Sequence, residues 1–109
     1  MNKITLNGIT VSVANTFLKR LIGMLNQKKP DMGKGLLITP CNQVHTFGMH
    51  FPIDIVFLSS GKVVYAKSYM PPNRISPLIK KADSVLELAA GTLESYCIKE
   101  DTFLEYREV

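Results

Sequence analysis

Short alternating apolar runs, turn signals between them and only one stretch of clear helical periodicity predict a mainly β (α+β) single domain. The expected architecture is a small β-sandwich or barrel of about seven short strands with one or two covering helices. A chain of 109 residues is long enough to form one core without disulfides or metal.

The first strands form a hairpin. Ile4 and Leu6 precede Asn7-Gly8, and Ile9, Val11 and Val13 follow, with Thr5, Thr10 and Ser12 on the other face. Asn-Gly between two alternating runs is a strong hairpin signal because both turn residues must take positive φ. A helix over 15–26 is expected next, capped by Asn15 or Thr16. Phe17, Leu18, Leu21, Ile22 and Leu25 form its apolar stripe. A short strand over 35–39 stops at Pro40. After the central segment, 59–62 turns the chain into a second hairpin with a strand over 63–70. Pro71, Pro72, Asn73 and Pro77 make a long loop, with one helical turn expected near 76–80. A strand over 84–90 ends at Gly91. A short helix over 92–98 follows, capped by Thr92 with Ser95 in place of the usual Glu, and the last strand covers 102–107.

The most informative segment is HTFGMHFPIDIVFL, residues 45–58. In its strand Ile53, Ile55 and Phe57 face one way, and Asp54, Val56 and Leu58 the other. A strand apolar on both faces lies between two layers, so Asp54 is drawn inside, where a carboxylate needs a partner. Glu87, in the strand over 84–90, is a second carboxylate in an apolar setting. If their strands are neighbours, Asp54 and Glu87 would form an acid–base pair with one pKa pushed up. The competing reading is a structural ion pair in which Arg20, beside the helix stripe, reaches Asp54 or Glu87 with its planar fork.

Composition narrows the function. A net charge of +4 is mild, and the basic pairs Lys28-Lys29 and Lys80-Lys81 are not interleaved with aromatics, which argues against nucleic acid. No apolar run approaches the ~18 residues of a membrane span. The N-terminus lacks the apolar core of a signal peptide, so a cytoplasmic protein is expected, although a trimmed mature form would read the same way. Cys41 and Cys97 lack CxxC spacing and are expected to be unpaired, with Cys97 a buried small hydrophobe. Cys41, His45, His50 and Asp54 are metal-ligating types, but their spacing matches no tight motif, and neither metal nor cofactor is expected.

RLIGML (20–25), HTFGMHFPIDIVFL (45–58), SSGKVV (59–64) and VLELAAG (85–91) together resemble an uncharacterised prokaryotic family, domain of unknown function 192. The resemblance runs from about residue 9 to 105. Its most specific part is Met-x-x-Pro-x-Asp followed by Leu-Glu-x-x-x-Gly. It implies a compact, mostly β domain and no established reaction. Similar members tend to have Arg or Lys where this chain has His50, and many have an acidic residue at Ser59 or Ser60. A histidine supplies that positive charge only when protonated.

Two function classes remain. The first is an accessory domain that binds a small molecule, a peptide or a protein on a concave surface lined by His45, Met49, His50 and Arg74. The second is a hydrolase-type enzyme, metal-assisted or not, with Asp54, Glu87 and His50 as acid–base groups. No nucleophile elbow, phosphate loop or dinucleotide fingerprint is present.

Overall fold

The computed structural model describes residues 2–14 and 31–108. Among these, the strands are β1 (Asn2–Leu6), β2 (Ile9–Ala14), β3 (Lys34–Ile38), β4 (Ile53–Ser59), β5 (Lys62–Met70), β6 (Ser84–Ala89) and β7 (Tyr106–Glu108). The single turn of helix α1 (Thr92–Ser95) follows β6. The helix expected over 15–26, with Arg20, lies outside the described residues.

The strands form one sheet in the order β5-β4-β6-β3-β2-β1-β7, antiparallel except for β2 beside β3. Both hairpins turn as their sequences require. Asn7 and Gly8 have φ of 50° and 82°, and Ser60 and Gly61 have 48° and 82°, conformations that match the right-handed twist of the flanking strands. Serine is less at ease there than asparagine, and the Ser60 N–H is held by Asp83 Oδ2 at 2.7 Å. Gly35 lies opposite Leu88 where β3 meets β6. A Cβ there would come within 2.7 Å of Leu88 Cδ2 and 3.1 Å of the Glu87 carbonyl oxygen, so this close strand approach needs glycine.

The C-terminal segment closes the sheet. Val63 N–H donates to Thr102 O, Asp101 N–H to Val63 O, and Leu104 N–H to Gly61 O, at 2.8–2.9 Å. A few residues on, Asn7 N–H donates to Glu105 O, and β7 pairs with β1. The two ends of the sheet are thereby linked, and the result is a barrel. Its interior is filled by Ile4, Leu6, Ile9, Val11, Val56, Leu58, Leu86 and Leu88, with Leu93, Ile98 and Leu104 among them. A second core lies on the outer face of β4 and β6, where Ile53, Ile55, Phe57 and Val85 pack with Ile38, Cys41, Val44, Met70 and Ala82. Apolar cover on both faces explains why every residue of β6, and all of β4 up to Leu58, is buried.

Four local expectations are corrected. Residues 76–80 form no helical turn, because Ser76 and Ile79 donate their N–H groups to Val44 O and Asn42 O and run alongside that segment. The helix after β6 is one turn long. Cys97, at φ 53°, ends it in a Schellman arrangement, with Ile98 N–H bonded to Leu93 O and Cys97 N–H to Glu94 O. That position leaves Cys97 exposed rather than buried; both cysteines are unpaired. Thr92 does not cap the helix either. Its hydroxyl donates to Ala89 O at 2.6 Å, and the cap comes from elsewhere.

Candidate functional site

That cap is Asp54. It sits in β4 on the barrel-interior face, fully buried. The register passes from Ile53↔Met70 to Ile55↔Lys67, so Ser68 and Tyr69 bulge opposite Asp54 alone, with Tyr69 at φ 52°. The N–H that this bulge frees on Tyr69 donates to Asp54 Oδ1 at 2.8 Å. Asp54 Oδ2 accepts from Gly91 N–H at 3.1 Å and Leu93 N–H at 2.9 Å, the N-terminal donors of α1. An ionised carboxylate only accepts, and three amide donors match it. Asp54 therefore fastens β4, the β5 bulge and the β6–α1 corner together.

Glu87 is buried in the neighbouring strand, but the register opposes it to Ile55 and opposes Asp54 to Leu88. Successive residues of a strand face opposite ways, so the two carboxylates lie on opposite faces of the sheet. They do not form a shared acid–base pair. His50 is exposed. His45 accepts the Phe47 N–H on Nδ1 at 3.3 Å and stacks on that ring with centroids 4.9 Å apart. Cys41 is buried, its thiol donating to Gln43 O at 3.2 Å. Among the described residues no three His, Cys, Asp or Glu side chains gather as a metal site would require. None of the described helices is long and apolar enough to cross a membrane.

What the loop over 45–50 does is dock the proline-rich loop, and Thr46 is the latch. This fully buried residue donates its hydroxyl to Pro71 O at 2.7 Å and accepts Arg74 N–H at 2.9 Å. Its own N–H bonds to Arg74 O, and its carbonyl accepts from Asn73 N–H. His45 is bridged to Ile75, and Ser76 Oγ accepts the Val44 N–H. Against β5 the docked loop forms a cleft of about 290 Å³. Ile55 and Met70 line it with Tyr65 and Lys67 of β5, and Pro71, Arg74, Ile75, Ser76 and Pro77 form the loop side. Of the four residues expected to line a concave surface, Arg74 is in this cleft, and His45, Met49 and His50 are not. Nothing local in the sequence marks Thr46, Tyr65 or Lys67 as site residues. Their spacing shows only that Tyr65 and Lys67, two residues apart, share a strand face.

The DUF192 family model, described as "Uncharacterized ACR", matches residues 2–106. This chain belongs to the DUF192 family. Two solved structures share the fold of this DUF192 chain. One is a Sinorhizobium meliloti 1021 protein provisionally named a transcription regulator, with a TM-score of 0.81 at 21% identity over 96% of this chain and 92% of the other. The other is a Novosphingobium aromaticivorans DSM 12444 protein of unknown function, with a TM-score of 0.77 at 18% identity over 94% of this chain and 83% of that one. No curated protein sequence matches the chain.

Proposed function

We propose that this chain is an accessory binding domain whose ligand, a small molecule or a short segment of a peptide or protein, occupies the cleft between β5 and the 71–77 loop. The observation that carries this reading is the lining itself: mostly apolar walls with the exposed cations Lys67 and Arg74 among them, the usual make-up of a ligand site. Its volume sits just under the ~300 Å³ at which drug-sized sites begin, so the group it takes is small. The hydrolase reading loses support, since Asp54 is enclosed by backbone amides and Glu87 is on the other face of the sheet. The barrel then serves as a rigid frame and the docked loop as the variable wall, the common division between scaffold and site.

The test is amide chemical-shift mapping against a mixed set of small apolar fragments, neutral, cationic and anionic. Shifts are expected to cluster at Lys67, Met70, Arg74 and Ile75. Shifts scattered over the surface, or gathered at the open depression of about 250 Å³ bounded by Pro40, Cys41, Asn42, Gln43, Ala82 and Asp83, would overturn it.

A further inference from the structure

The cleft has a charge as well as a shape. Among the described residues its lining contains two cations, Lys67 and Arg74, and no carboxylate. Among the described residues neither takes part in an ion pair, although three other pairs form on the surface. Arg74 Nη1 reaches only the carbonyls of Pro72 and Asn73, at 3.5 and 3.4 Å, the outer limit of a hydrogen bond. Its planar fork is left available for a carboxylate, which it can meet with two parallel N–H donors. Around these cations the walls are apolar: Ile55, Tyr65, Met70, Ile75 and the two prolines.

Resting on the binding reading above, we propose that the ligand is a small monocarboxylate with a short apolar body. The body would lie against Tyr65, Met70 and Ile75, and the carboxylate would meet Arg74 and Lys67 at the rim. A phosphate dianion fits less well, because among the described residues the helix α1 does not line the cleft and offers no N-terminus there to share a second charge. Addition of a peptide strand along β5 beyond Val63, where the C-terminal segment no longer bonds to it, is also disfavoured. The register of β5 is regular only over Tyr65–Lys67 and shifts on both sides, beside Val64 and beside Ser68-Tyr69, and the edge carries Lys67. Bulges and an edge lysine are the devices that keep a strand edge from pairing.

The experiment titrates the intact protein with hexanoate, hexanol, hexylamine, hexyl phosphate and the peptide acetyl-Val-Asp-Val-amide, read by amide shifts. Hexanoate is expected to bind in the cleft roughly tenfold more tightly than hexanol, a difference that one or two charge-assisted contacts at a partly exposed rim would give. The Lys67→Ala, Arg74→Ala double variant should bring the two ligands level while its circular dichroism and melting temperature stay unchanged. If hexanol and hexanoate bind the cleft equally, the carboxylate assignment fails and the binding domain stands. Tighter binding of hexyl phosphate, or of the peptide with shifts along β5, also overturns the assignment in favour of that ligand. If none of the five moves the cleft resonances, both readings fall.

Discussion

Asp54 and Thr46 are both polar and both fully buried, yet they hold the molecule in different ways. Asp54 brings a charge inside the barrel and spends it on three backbone amides from two other segments. Thr46 is neutral and ties one loop to another with a donated and an accepted bond. Charge-assisted bonds are roughly twice as strong as neutral ones, and a buried charge stripped of its partners is costly. The barrel corner is therefore the more firmly held part, and the cleft wall is held by a weaker latch. A buried acid in an apolar strand can serve as a structural acceptor where the backbone around it presents N–H donors.

The largest effect should come from Asp54→Asn. Its side-chain amide must turn an N–H toward at least one of the Tyr69, Gly91 or Leu93 donors. The expected cost is about 3–5 kcal/mol in denaturant unfolding. A loss under about 1 kcal/mol would show that the corner does not depend on the charge. Thr46→Val should cost less, about 1–3 kcal/mol, by orphaning Arg74 N–H and Pro71 O. Hydrogen exchange distinguishes the two sites. In the valine variant Asn73 and Arg74 should exchange faster while Gly91 and Leu93 stay protected. Equal loss of protection at both places would mean that latch and corner unfold as one unit.

A smaller effect tests the histidine loop. His50 is exposed and does not line the cleft, so His50→Arg should change hexanoate affinity by less than about twofold across neutral pH. A larger change would bring His50 into the site. The smallest effect is spectroscopic and lies at the far end of the sheet. Partial desolvation, then the charge of Glu108 and its hydrogen bond from the phenol, raise the Tyr106 pKa above 10.0. The neutral phenol is the favoured form in the fold. Whatever this contact contributes is therefore present below pH 10 and is lost as pH rises through the higher folded value. In Glu108→Gln the ultraviolet titration of Tyr106 should move back down toward 10.0. An unchanged midpoint would remove Glu108 as a cause.

The local features are legible in the residues alone: the Asn7-Gly8 and Ser60-Gly61 turns, the strands of alternating apolar residues and the burial of Asp54. Each depends on neighbours in the chain, through the positive φ a two-residue turn requires or the two-residue period of a strand. The sequence also holds enough of the family's signature to identify the family. The same period could not tell which faces of two strands lie together. One step of register puts Ile55, rather than Asp54, opposite Glu87, and the supposed acid pair is split across the sheet. The β5 bulge, the capping of α1 from a distant strand and the docking of the proline-rich loop by Thr46 were likewise decided by the tertiary structure. Each satisfies a backbone group left over by packing. Which groups are left over is known only when strands far apart in the chain have met.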